Sequence, residues 1–434
     1  MQLPGRISAA IEVLADIETR HRPAPVALKD WGASHRFAGS GDRAAIGNLV
    51  YDALRKRSSH QYAMGADTPR ALVLSVVVRG WGEDIDALNA SFADDRFAPE
   101  PITSAEAERL SATNSLDGAP DYVLADIPEW MAPSFSEVFG EQWIAEGAAL
   151  SERPPLDLRA NTLKANGARV AKALKRFDPE IMHLCPEGIR IPAGNRHSRT
   201  PNVQADEAYL KGWFEVQDQG SQLVATLVGA KPGEQVLDLC AGAGGKTLAL
   251  AAAMENKGQI FAYDADRNRL APIYDRLKRN AARNVQVRAP KEGALDNLVG
   301  KMDRVVVDAP CTGTGTWRRR PDAKWKLTPE QLELRQAEQA EILAHAAQFV
   351  RPGGQLTYIT CSLLPQENAQ QVERFTKSQS EFTVAPMQDA WNELITKSET
   401  AKPYFNQWGV TLTPASCATD GFFISNMHRA KANA

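Results

Sequence analysis

Asp238-Leu239-Cys240-Ala241-Gly242-Ala243-Gly244-Gly245-Lys246-Thr247 closes a strand expected over 235–239 and leads into a helical run over 248–254. A strand that ends in a glycine-rich turn and opens a helix is the usual first unit of a parallel sheet. Its glycines let the backbone approach a ligand closely, and the helix start offers free N–H groups at the positive end of a dipole. Downstream, further strands are expected over 259–264, 285–288, 304–308, 355–360 and 421–427, with helices between them. The clearest of these helices begins at Thr328-Pro329-Glu330-Gln331, where Thr328 caps, Pro329 suits the first helical position and Gln331 completes a capping box. It is expected to run to Val350 and to stop at Arg351-Pro352-Gly353-Gly354. The alternation predicts an α/β fold over 216–434, a mostly parallel, doubly wound sheet with right-handed crossovers.

Upstream the pattern changes. Residues 146–215 read as a small α+β connector. Strands are expected at 156–159 and 188–192 around a helix over 165–177. Residues 1–145 read as helical. Ile7, Ala10, Ile11, Leu14 and Ile17 share one face, and Ile46, Leu49, Val50 and Leu54 another, in a helix for which Asp42 is the expected N-cap. Further helical segments are expected over 71–79, over 105–110 and after Pro128.

Length and composition limit the classes available. A chain of 434 residues needs more than one core, and 43% apolar with 24% charged residues is ordinary for a globular protein. No apolar run is long enough to cross a bilayer, and five dispersed cysteines argue against a disulfide framework and for a reducing compartment. No Cys or His spacing suits a metal. A cytoplasmic monomer without metal or membrane association is expected. The net charge of −3 marks no nucleic-acid binder by itself, so local basic clusters matter more than the sum.

Three ligands compete for the glycine turn. A P-loop would need glycine where Cys240 stands, and a dinucleotide fingerprint would need a small residue where Thr247 stands. S-adenosylmethionine needs a glycine turn and an acid ending the next strand, and Asp264 is suitably placed for ribose hydroxyls. The cysteines separate these readings further. Cys185 and Cys417 suit small buried positions, whereas Cys311, in Asp308-Ala309-Pro310-Cys311, and Cys361, in Thr360-Cys361-Ser362, each follow a strand at its carboxyl end, where open α/β sheets bind ligands. Two thiols there suit methylation of a pyrimidine at carbon 5. A thiolate adding to carbon 6 makes carbon 5 nucleophilic, and the adduct must then lose a proton and expel the thiol. Cys361 is the expected nucleophile, Cys311 the releasing group, and Asp308 the acid beside the ring.

These motifs resemble those of RNA cytosine-5 methyltransferases of the Sun/Fmu type, most closely the small-subunit ribosomal RNA B type. The similarity lies in Asp238-Leu239-Cys240-Ala241, Asp308-Ala309-Pro310-Cys311, Tyr358-Ile359-Thr360-Cys361-Ser362, Arg159-Ala160-Asn161-Thr162 and Val216-Gln217-Asp218-Gln219-Gly220-Ser221. The resemblance implies a Rossmann-like S-adenosylmethionine-dependent methyltransferase domain preceded by a NusB-like RNA-binding helical domain. It also implies that Cys240, Ala241, Gly242, Ala243, Gly244, Gly245, Lys246, Asp264 and Asp308 contact the cofactor, with Lys246 and Asp308 at the methyl-transfer centre. Two positions depart from the family pattern: Ala243 replaces a proline, and Lys291 stands where an aspartate helps hold adenine. Both bear on cofactor affinity.

Thr316 to Lys326 holds five cations and two indoles in eleven residues directly after Cys311. Arginines grip phosphates and aromatic rings stack on bases, so Arg318, Arg319, Arg320, Lys324 and Trp325 are expected to touch RNA as an unstacked strand or loop. The cations at 267, 269, 276, 278, 279 and 283 read instead as a solvated helix face. The reading is thus an enzyme forming 5-methylcytosine, with small-subunit ribosomal RNA as the expected substrate. The alternatives are a transfer RNA methyltransferase and an inactive RNA-binding assembly factor.

Overall fold

The computed structural model describes residues 1–196 and 198–432. They form two compact units: Met1–Pro154 with Ala193–Thr200 and Trp317–Lys326, and Pro155–Pro192, Pro201–Thr316 and Leu327–Ala434.

The first unit is helical. Its helices Leu3–Thr19, Ser40–Arg55 and Pro69–Ser75 bury the stripes expected of them, including Ile7, Leu14, Ile46, Leu49 and Leu72. Asp42 is not the N-cap. It is the third helical residue, and its carboxylate accepts the backbone N–H of Gly39 at 3.1 Å. The segment after Ser75 leaves the α-helix for one π turn, Val76–Gly80, in which Trp81 N–H reaches Val76 O at 2.8 Å.

The second unit holds two sheets. The smaller is antiparallel, in the order β2 (Glu180–Ile181), β3 (Gly188–Ile191), β1 (Leu156–Ala160), β4 (Phe214–Val216). The connector thus gains two strands that were too short to show alternation, and Val216 ends β4 instead of opening the larger sheet.

The larger sheet carries β5 (Gln235–Asp238), β6 (Gln259–Tyr263), β7 (Val285–Arg288), β8 (Met302–Asp308), β9 (Val350–Thr360), β10 (Phe382–Val384), β11 (Tyr404–Asn406), β12 (Gly409–Leu412) and β13 (Phe422–Arg429). Its path runs β11-β12-β13-β9-β8-β5-β6-β7, with β10 beside β13. The ladders joining β9, β8, β5, β6 and β7 are parallel, the expected Rossmann-like arrangement. The remaining pairs are antiparallel. Both faces are covered. Val305 and Val307 enter one core with Leu356 and Tyr358, while Val306 enters the other with Val236 and Ile359. Such two-sided burial is why Val305-Val306-Val307 reads as a continuous apolar run.

Strand order reverses at β5 and β8, because β6 and β7 continue to one side and β9 to the other. Ligands of open parallel sheets bind at the carboxyl ends of the strands at this reversal. The helix Pro329–Ala347 has the expected capping box but ends before Val350. The Arg351–Gly354 stretch does not end the element there. Instead β9 begins at Val350, and the ladder to β8 jumps from Met302↔Val350 to Arg304↔Gln355. These four residues bulge out of the pairing with Gly353 at φ +75°, a conformation glycine adopts without strain.

Candidate active site

The glycine turn is fixed by backbone and side-chain bonds at its flanks. Gly242 and Gly244 have φ of +49° and +85°, and a Cβ on Gly244 would lie 2.6 Å from Ile273 Cγ1. Glycine is therefore required at 244 on two counts. Gly242 N–H donates to Asp264 Oδ2 at 2.9 Å, and Asp266 N–H donates to Asp264 Oδ1 at 2.9 Å. Asp264 thus anchors the turn, with lone pairs to spare on both oxygens. Arg276 Nη1 donates to Ala243 O at 2.7 Å, while its Nη2 donates to Glu215 at 2.8 Å. Arg279 and Asn280 also donate to Glu215. The expectation of a solvated face therefore fails at Arg276 and Arg279, because their guanidinium groups neutralise a buried carboxylate.

Asp238 ends β5 fully buried. Its Oδ2 accepts the Thr247 hydroxyl at 2.6 Å, and its Oδ1 has no hydrogen-bond partner. Burial pushes this carboxyl up to about 7. An unmatched buried acceptor beside a glycine cradle suits a ligand carrying an N–H or ammonium group. Gly245 opens the helix Gly245–Ala253, and a Cβ there would meet nothing within 4 Å. These residues fit S-adenosylmethionine, whose amino group and ribose hydroxyls need such acceptors.

Across the strand reversal, Lys246 Nζ donates to Asp308 Oδ2 at 2.6 Å. The lysine side chain is 6% exposed and the aspartate 34%. The ammonium also lies 5.4 Å from the centre of the Phe422 ring. This pair brings a cation and a carboxylate to the ends of β5 and β8.

The two cysteines meet at the ends of β8 and β9, with Cys311 Sγ 3.4 Å from Cys361 Sγ. The hydrogen bond to Cys361, then burial, holds the Cys311 thiol above its ordinary value, so Cys311 keeps its proton. Their loops are stitched together: Gly315 N–H donates to Cys361 O at 2.9 Å, and Leu363 N–H to Thr314 Oγ1 at 2.7 Å. Cys240 is part-buried against the sheet core, and burial followed by Asp238 and Asp308 raises its thiol. Cys185 and Cys417 are buried core residues.

Sequence reasoning missed several groups. Gln339, Glu367 and Asn368 are buried around the cysteine loops, and Glu215 lies behind the glycine turn. Only the polar run Gln366-Glu367-Asn368, following Leu363-Leu364-Pro365, could have signalled Glu367 and Asn368.

The basic stretch after Cys311 needs correction. Trp317–Lys326 is part of the helical unit. There Lys324 is 0% exposed, and its ammonium donates to Arg55 O at 2.7 Å, Asp126 O at 2.7 Å and Ser151 Oγ at 2.9 Å. Trp325 packs on the helical core and donates to Leu54 O at 2.6 Å. Arg318 is buried as well. Lys324, with its ammonium engaged by three acceptors inside the helical unit, has no donor left to grip a phosphate. Arg319 is part-exposed and Arg320 exposed.

Comparison with known proteins agrees with this geometry. Residues 225–428 match the 16S rRNA methyltransferase RsmB/F family, and residues 127–196 match the ferredoxin-like domain of RsmF/B-like methyltransferases. The probable ribosomal RNA small subunit methyltransferase B of Synechocystis sp. is 32% identical over 70% of this chain and 67% of its own length. The ribosomal RNA small subunit methyltransferase B of Enterobacter sp. is 33% identical over 69% and 66%. The chain thus spans about two thirds of the length of these relatives. In fold it is similar to the crystal structure of PH0851, with TM-score 0.73 and 24% identity over 99% of both chains. It is also similar to a methyltransferase homolog protein from Pyrococcus horikoshii, with TM-score 0.57 and 25% identity over 71% of this chain and 97% of that one. On these similarities the chain belongs to the 16S rRNA methyltransferase RsmB/F family and is an S-adenosylmethionine-dependent RNA methyltransferase.

Proposed function

We propose that this enzyme forms 5-methylcytosine in small-subunit ribosomal RNA through a covalent enzyme–RNA adduct. The observation that carries the reading is the 3.4 Å separation of the Cys311 and Cys361 sulfurs, beside the family's cofactor turn. Cys361, as thiolate, adds to carbon 6 of the cytosine and leaves carbon 5 electron-rich. S-adenosylmethionine, when bound, supplies the methyl group that carbon 5 takes. Asp308, tied to Lys246 through one oxygen and still part-exposed, acts as the acid that gives ring nitrogen 3 a proton as addition places negative charge on the ring, and takes it back on release. A water molecule takes the carbon 5 proton, the electrons of that bond form the carbon 5–carbon 6 double bond, the carbon 6–sulfur bond breaks, and Cys361 leaves as thiolate. Cys311, kept protonated by its neighbour, assists that release.

The names of the relatives support ribosomal RNA as the substrate class. The helical residues 1–145 act in this reading as an RNA-binding domain, and the exposed Arg320 reaches phosphate. Cys311→Ala protein incubated with small-subunit ribosomal RNA and S-adenosylmethionine tests the proposal on a denaturing gel. An RNA-shifted band that disappears when Cys361 is also replaced is the expected result, and normal turnover by Cys361→Ala would overturn it.

A further inference from the structure

The two thiol loops hang from one dipeptide. Glu367 is 0% exposed, and its Oε1 accepts Thr312 N–H at 2.8 Å and Gln339 Nε2 at 2.9 Å, while Oε2 accepts the Thr312 hydroxyl. Gln339 Nε2 also donates to Pro310 O at 2.9 Å. Cys311 is thereby pinned through the residue before it and the residue after it. The next residue does the same for the other thiol. Asn368 accepts the Thr360 hydroxyl at 2.5 Å through Oδ1, and its Nδ2 donates to Ser362 O at 2.9 Å. Cys361 lies between those two. Tyr358 OH donates to Glu367 O at 2.7 Å and ties the dipeptide back to β9.

We infer that Glu367 and Asn368 are paired positioning residues, Glu367 for the Cys311 loop and Asn368 for the Cys361 loop, which together set the separation of the two sulfurs. A buried carboxylate can accept several bonds, and a buried amide can donate and accept at once, so each type suits its task. The negative charge of Glu367 also adds to the forces that keep the Cys311 proton in place. The inference rests on the covalent reading, and it predicts different defects for adjacent residues. Glu367→Gln replaces an acceptor with a donor that faces Thr312, so release slows while addition continues. Asn368→Ala frees the flanks of the nucleophile, so addition itself fails.

The experiment compares Cys311→Ala, Glu367→Gln, Thr312→Val and Asn368→Ala proteins by adduct trapping on small-subunit ribosomal RNA, steady-state methylation and S-adenosylmethionine calorimetry. Thr312→Val removes the hydroxyl bond to Glu367, together with the longer 3.4 Å contact of that hydroxyl with Ser362 Oγ, and serves if Glu367→Gln does not fold. Adduct is expected to accumulate in Glu367→Gln or Thr312→Val, as in Cys311→Ala. Asn368→Ala is expected to give no adduct, with kcat down about a hundredfold, as misplacement of a reacting group can produce, and with cofactor affinity unchanged. Wild-type turnover in the folded variants overturns the inference, as does an equal loss of adduct and turnover in both that tracks thermal stability. If Cys311→Ala itself traps nothing, the covalent reading falls and takes this inference with it. If Cys311→Ala traps adduct and the other variants do not divide as stated, only the inference falls.

Discussion

Lys246 and Asp308 form an ion pair of unequal exposure: the lysine is sealed by the sheet end, and the aspartate is open on one side. The open partner is free to act on a substrate, and the sealed one fixes its direction. Asp308→Asn should therefore leave a nearly buried ammonium short of its charge partner, costing about 1–3 kcal/mol of stability. Methylation should fall about a hundredfold or more, since an amide cannot give ring nitrogen 3 the proton that the carboxyl group supplies. Urea melts and single-turnover methylation check the two effects, and an undiminished rate would exclude Asp308 from the centre.

The two neighbouring glycines should separate stability from cofactor binding. Gly244→Ala drives a Cβ to 2.6 Å from Ile273 Cγ1 at φ +85°, so both the fold and the cofactor turn should suffer. At Gly245 the added methyl meets no protein atom within 4 Å and sits at a helix start. Gly245→Ala should hold or raise stability by up to about 1 kcal/mol, because alanine is the better helix former. It should nonetheless weaken S-adenosylmethionine binding, measured by calorimetry. Unchanged affinity would place the cofactor away from Gly245.

How much was legible follows from what each segment had to bury. The central parallel strand β8 was readable because burial on both faces makes Val305-Val306-Val307 a continuous apolar run, whereas β7, Val285–Arg288, shows only alternation. Strands β10 to β12 are three or four residues long and belong to antiparallel pairs, too short for alternation to show. The cysteine motifs and the glycine turn stood out because their residue types are costly or unusual at strand ends. Glu367, Asn368 and Gln339 did not, since a buried polar side chain becomes intelligible only when its partners, far away in sequence, are known. The arginine-rich stretch misled for a related reason. Lys324 carries a charge, and nothing local shows that Arg55 O, Asp126 O and Ser151 Oγ converge on it.

Arg320 is the cation of that stretch left exposed, so it should behave as a phosphate contact if RNA passes there. Arg320→Ala should weaken RNA binding and lower the steepness of its salt dependence by about 0.7, the value for one contact to a single strand. Filter binding across a salt series reads this directly. An unaltered slope with unaltered affinity would remove Arg320 from the interface.

Lys324 should act on stability and not on RNA. Lys324→Met leaves two carbonyls and a hydroxyl without their donor inside the helical unit, which should cost roughly 2–4 kcal/mol. The pH dependence supplies a sharper signature. Burial lowers the Lys324 ammonium from its ordinary 10.5 to about 7. Between those values the unfolded chain holds a proton that the folded chain has released. Stability from this group therefore rises with pH across the window, is complete above the unfolded value, and is lost as pH falls through about 7. Urea melts of wild type and Lys324→Met at pH 6.5 and pH 9 should thus show a gap that widens at the higher pH. A gap that stays the same would mean that Lys324 stays charged in place, held by Asp126, which sits among the groups that favour its ammonium form. RNA affinity of the folded variant should match wild type at both pH values, because a side chain with every donor engaged in the core has none left for phosphate.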